Sequence, residues 1–216
     1  MSRPVVSSTR RHPPLPRAPG PRRSDDLVDG VMGIIAARGF ANVPVAEMAR
    51  ELSCSLTTLY RVAPSKDSLV VVAISRWGEL TLQEAEARAA EAGTAWERVH
   101  AYFRAGVESL LQQSHAFRRD LQRFDSTRVA YQAVSDRYVD RLGALIEEAV
   151  GAGDLRPVNA RLLAGLLRHL AAAVRDEGLL EVAGATAGEA LSEIESILLD
   201  GLRSPSGTTH PPLADG

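Results

Sequence analysis

The sequence predicts an all-α fold of about nine helices, and three observations carry that prediction. Apolar residues recur at steps of three and four along most of the chain, the spacing that places side chains on one face of a helix. No stretch alternates apolar and polar residues in the way a half-buried strand requires. Between the periodic runs stand Gly, Pro, Ser, Thr and Asp at the positions where helices stop and start.

Residues 1–23 hold six arginines, many prolines and no acid, the composition of a disordered basic arm. Ser24 opens the folded part, with Asp25 and Asp26 placed favourably in a first helical turn. Leu27, Val28, Val31, Ile34 and Ile35 then define one buried face, and Gly39 ends the helix. Pro44 suits the first turn of the next helix, where its missing N–H would have had no partner in any case. In the stretch 45–69, Met48, Leu52, Cys54, Leu59 and Val62 fit two short helices crossing on a shared core, with small Ala49 at the close approach. Leu52-Ser53-Cys54 forms the turn, and Ser55 stands where its hydroxyl can cap the second helix. Leu56, Thr57, Thr58, Tyr60 and Arg61 then point outward from a helix small enough to enter a DNA major groove.

The same segment resembles the TetR-like one-component transcriptional regulators. Gly39-Phe40, Val45, Met48-Ala49, Ser55, Thr58-Leu59-Tyr60, Pro64-Ser65-Lys66 and Leu69 fall in that family's order and spacing, densely over residues 24–69 and diffusely afterwards. The resemblance implies a homodimer that reads a pseudo-palindromic double-stranded operator and answers to a small-molecule effector, acting as a repressor. It implies that Tyr60 and Pro44 touch the DNA backbone. Thr57, Thr58 and Arg61 are the polar candidates for DNA contact, and Leu56 can meet a thymine methyl. Lys66 is the one lysine among 25 basic residues and sits in the first turn of the following helix, a position suited to a phosphate. Ser53 replaces the usual turn glycine, so a left-handed backbone there would be strained. Ala63 replaces an aromatic plug, and Leu56-Thr57 replaces a basic residue followed by Gly, which alters the expected operator sequence.

The segment 24–68 is thus the expected helix-turn-helix domain, and 69–203 the expected effector-binding and dimerisation domain. Ser65 caps a long helix spanning 65–92, which Gly93-Thr94 breaks; further helices are expected over 95–113, 116–124, 128–151, 159–177 and 187–202. The helix over 159–177 is apolar across a face wider than the ~100° stripe of a surface helix. Leu162, Leu166, Leu170 and Val174, paired with Leu191, Ile194 and Leu198 of the last helix, are the candidate dimer interface, two such pairs forming an intermolecular four-helix bundle. His100, Phe103, Phe117, Phe124, Tyr131 and His169 are the candidate pocket residues, and the modest supply of rings points to a mainly aliphatic cavity for an apolar or amphipathic ligand. Residues 204–216 are Ser-, Gly-, Pro- and His-rich and are expected to form a disordered tail.

Charge agrees with this division. The chain carries a net −2, but residues 1–68 carry +4 and the remainder −6, so the positive end coincides with the helix-turn-helix. The basic arm is placed to follow DNA or enter a minor groove. A single cysteine excludes an internal disulfide and a multi-cysteine metal site. No apolar run reaches the ~18 residues of a membrane span, and no apolar stretch follows the N-terminal arginines, so a cytoplasmic protein is expected. Glu97 and His100 form a lone Glu-x-x-His, where a carboxylate-bridged metal pair needs two. No nucleophile motif or phosphate-cradling loop occurs, so no metal, cofactor or enzymatic activity is expected. Two rivals remain: a helical interaction protein that has lost DNA reading, and a helical-bundle enzyme.

Overall fold

The computed structural model describes residues 21–173 and 177–203. Among them there are ten α-helices and no strand. The expected arm up to residue 20, the tail from 204 and the Val174 interface position lie outside the described residues, as does the side chain of Leu198. Within the described residues no helix is long and apolar enough to cross a membrane.

The first four helices are α1 (Pro21–Arg38), α2 (Val45–Glu51), α3 (Leu56–Val62) and α4 (Lys66–Glu91). The next three are α5 (Ala95–Leu111), α6 (His115–Arg123) and α7 (Asp125–Gly151). After them come α8 (Ala160–Ala173), α9 (Glu177–Ala183) and α10 (Ala187–Ile194). Ser55 and Ser65 cap their helices as predicted, while α1 begins at Pro21, three residues before the expected Ser24, so Asp25 and Asp26 fall beyond its first turn. Thr94, Ser114 and Thr186, which the sequence reading did not name as caps, likewise accept an N–H from the residue three positions on.

Two differences from the sequence reading concern the C-terminal part. The helix expected over 159–177 is described as α8 up to Ala173, and α9 carries helix from Glu177 to Ala183, past the expected end and closed by Gly184; residues 174–176 between them lie outside the described residues. The helix expected over 187–202 is α-helical only to Ile194; Glu195–Leu199 widen into a π turn and Asp200–Leu202 tighten into a 3-10 turn. That end is pinned to the body, because Leu202 is buried and its carbonyl accepts from Arg156 N at 3.0 Å.

Two cores share α4. Its first turns, through Leu69, Val70, Ala73 and Ile74, pack with Leu27, Val31 and Ile35 of α1, Met48 of α2 and Leu59 of α3. Phe117 and Leu121 of α6 complete this core, which three short helices could not fill alone. Farther along, Ala85 and Ala89 of α4 join Trp96, Val99, Tyr102 and Phe103 of α5. Leu142, Leu145 and Ile146 of α7 and Leu163 and Leu167 of α8 close the second core. One rigid helix therefore links the helix-turn-helix to the rest.

The turn between α2 and α3 carries the strain the sequence foretells. Ser53 adopts φ +50, the left-handed conformation, which lets Cys54 N reach Ala49 O at 2.9 Å. A Cβ in that region is costly and glycine is not penalised. Ser53→Gly is expected to raise stability by about 0.5–1 kcal/mol. A denaturant titration checks it, and an unchanged or lower midpoint would refute the strain.

Candidate nucleic-acid interface and cavity

The helix-turn-helix presents α3 on a firm base. Ser55 Oγ accepts from Thr58 N at 3.1 Å, and the Ser55 and Thr58 hydroxyls lie 2.7 Å apart. Leu59 is fully buried and fixes the roll of the helix. Leu56 (41% exposed) and Tyr60 (43% exposed) therefore stand on the outer face, together with exposed Thr57 and Arg61. Thr58 is half-buried and tied to the cap, so its hydroxyl serves the helix start. Pro44 is exposed at the N-cap of α2.

The base itself is held by groups from outside the helix-turn-helix. Gly39 closes α1 with φ +75, and its N–H donates to Ile35 O at 2.8 Å. Asp120 of α6, buried at 4% exposure, accepts from Phe40 N and Ala41 N, both at 2.7 Å. Lys66, half-buried in the first turn of α4, donates from Nζ to Ala41 O at 3.0 Å. The sequence reading gave Lys66 to a DNA phosphate; the structure uses one of its three ammonium donors on the turn before α2. Phe40 lies edge-on to Phe117 (6.1 Å) and packs on Phe124 (5.5 Å).

These contacts correct half of the pocket expectation. Phe117 and Phe124 belong to the helix-turn-helix core, because the face of α6 that carries them leans on the α1–α2 turn. His100 faces Glu195, its Nε2 3.0 Å from the carboxylate, and packs on Trp96. Glu97 accepts from the backbone N–H groups of Thr94 and Gly93, which hold its carboxyl below the usual range.

Phe103, Tyr131 and His169 do converge. They line a cavity of about 280 Å³ between α4, α5, α6, α7 and α8, with Leu82, Val107, Leu110, Val134 and Leu142 as its aliphatic wall. Trp77 of α4 lines it too and stacks on Tyr131 at 5.7 Å with the ring planes 5° apart. Tyr138 OH donates to Tyr102 O at 2.8 Å, and burial pushes its phenol well above the ordinary tyrosine range, so it stays neutral. The sequence reading missed Trp77, Arg168 and Asp120. Two of these had a signal: Arg168 is a charge inside a Leu-rich helix, and Asp120 is an acid in register with Phe117, Leu121 and Phe124.

The proposed dimer positions also divide. Leu191 is buried against Ala171, and Ile194, half-buried, packs with it and with Val107 and Leu110, so both serve their own subunit. Leu162 (60%) and Leu166 (48%) face outward, as does Ile197 (62%), while Leu170 is half-buried.

No protein-family model matches the sequence, and no curated protein matches it. Solved structures do match the fold. A protein of Saccharomonospora viridis described as a transcriptional regulator, in complex with choline, is 18% identical, with 85% of this chain and 99% of that one covered at TM-score 0.71. A TetR-family transcriptional regulator from Agrobacterium tumefaciens is 15% identical over 85% and 98% of the two chains, at TM-score 0.66. AibR in complex with isovaleryl coenzyme A and operator DNA is 18% identical over 82% and 98%, at TM-score 0.57. The helix-turn-helix, its linking α4 and the helical body behind them together form the fold of the TetR-family transcriptional regulators.

Proposed function

We propose that the chain is a homodimeric, sequence-specific DNA-binding repressor released from a pseudo-palindromic operator by a small ligand in the α4–α8 cavity. The observation that carries this reading is the capped α3, which holds Leu56, Thr57, Tyr60 and Arg61 outward on a buried Leu59. The shared fold with an operator-bound, acyl-coenzyme A-bound protein supports it. The segments 24–68 and 69–203 divide the labour, the first reading DNA and the second holding ligand and partner. Two copies of α3 reach successive major grooves when they stand about 34–36 Å apart, and a ligand that favours another separation dissociates the complex. Ligand and operator then weaken each other reciprocally.

The test is an anisotropy titration on the DNA upstream of its own gene. With roughly eight phosphates neutralised, log K is expected to fall with log salt at a slope of about −7. Thr57→Ala is expected to change sequence preference, and Lys66→Ala to weaken binding to all sequences alike. A slope near zero, or no binding at low salt, would overturn the reading.

A further inference from the structure

We infer that the α4–α8 cavity takes a linear monocarboxylic acid of about eight to ten carbons, its tail among the aliphatic side chains and its carboxylate on Arg168. The inference rests on reading this cavity as the effector site and adds the charge and size of the occupant. No acidic residue lines the cavity among the described residues, although the chain holds 27 of them. Its charged lining is Arg128, Arg168 and the titratable His169. Arg128 is exposed and already paired, its Nη2 2.7 Å from Asp125 Oδ1. Arg168 differs. Its Nε is buried, and among the described residues it has neither a hydrogen-bond partner nor a carboxylate within ion-pair distance.

A guanidinium does not lose its proton in a protein, so a partly buried one without a counter-ion bears a desolvation cost. A bound carboxylate removes that cost and matches the planar fork with two parallel hydrogen bonds. Tyr138 cannot substitute as donor, because its hydroxyl is spent on backbone carbonyls of α5. A cation is disfavoured twice. Arg168 repels it, and the faces of Trp77 and Tyr131 are turned to each other instead of forming a cage.

Volume sets the length. An apolar cavity of about 150 Å³ takes a benzene ring, so 280 Å³ admits about eleven non-hydrogen atoms. Octanoate has ten and decanoate twelve.

Calorimetric titrations of the full-length protein with octanoate, 1-octanol and octyltrimethylammonium, without DNA, separate the possibilities. Octanoate is expected to bind at least tenfold more tightly than 1-octanol, with the ammonium weakest. Arg168→Gln is expected to remove that tenfold preference while leaving 1-octanol affinity unchanged. Equal binding of octanoate and 1-octanol, or a preference that survives in R168Q, would overturn the carboxylate inference and leave the cavity reading standing. Tightest binding by the ammonium would overturn the inferred sign of the charge. Silence from all three compounds would overturn the cavity reading itself.

Discussion

Replacing Leu162 and Leu166 together by glutamate is expected to yield a folded monomer whose operator affinity is lower by roughly a hundred- to ten-thousand-fold. The two leucines stand one turn apart on α8 at 60% and 48% exposure, and exposed His169 and Ala173 continue the same stripe. The opposite face of the helix, through Leu163, Ala164, Leu167 and Ala171, is buried in its own subunit. α8 is therefore apolar on two sides and filled on one. Leucines left in water on such a helix lose the ~1.5–3 kcal/mol that burial of each would contribute. In the proposed dimer a second copy of the face would supply that burial, and a glutamate in its middle would bring an unpaired charge into the contact.

The consequence for DNA follows from tethering. In a dimer, binding of one half-site presents the second at high effective concentration, and that gain disappears with the partner. Sedimentation and an operator titration read the two effects. Because both side chains are exposed in the single subunit, the thermal melt of the subunit should hardly move. A variant that stays dimeric, or a monomer that binds the operator as tightly as before, would refute this role for α8.

Legibility in the sequence followed the range of the interactions. Caps and helical stripes depend on residues three or four apart, so Ser55, Ser65 and the strained Ser53 could be read directly. What periodicity cannot tell is which neighbour a stripe meets. Phe117 and Phe124 were legible as apolar positions, but whether α6 served a cavity or the helix-turn-helix depended on contacts about 80 residues away, such as Asp120 with Phe40. The same holds for Leu191 and Ile194. Their face was visible, but the sequence did not say that α5 and α8 of the same subunit cover it. The cavity needs five helices at once, so only half of its expected residues converged. The fold class rests on local signals, and they agreed throughout.

Asp120→Ala is the other change expected to act strongly, lowering stability by about 3 kcal/mol. Its carboxylate is the acceptor for two successive backbone N–H groups, Phe40 and Ala41, in a turn that no helix satisfies. Hydrogen bonds to a charged acceptor contribute about 1.5–3 kcal/mol each, and the donors left behind are shielded from water. Gly39 shows how tightly the place is built. A Cβ there would lie 2.5 Å from Asp120 Oδ2 and 3.0 Å from the Ala116 backbone, in a φ of +75 that side chains already avoid. For a chain of this length each kcal/mol moves the melting temperature by about 2–4 °C, so the alanine variant should melt about 6–12 °C lower. Asp120→Asn keeps an acceptor oxygen without the charge and should recover most of that loss. The effect must also reach DNA, because the turn that Asp120 holds from α6, and Lys66 from α4, leads directly into α2. At a temperature where the alanine variant is fully folded, its operator affinity should still fall, since α2 and α3 would no longer be held in one orientation. A melt within 2 °C of the parent protein would mean that the two N–H groups find other acceptors, and the clamp would then have no part in orienting α3.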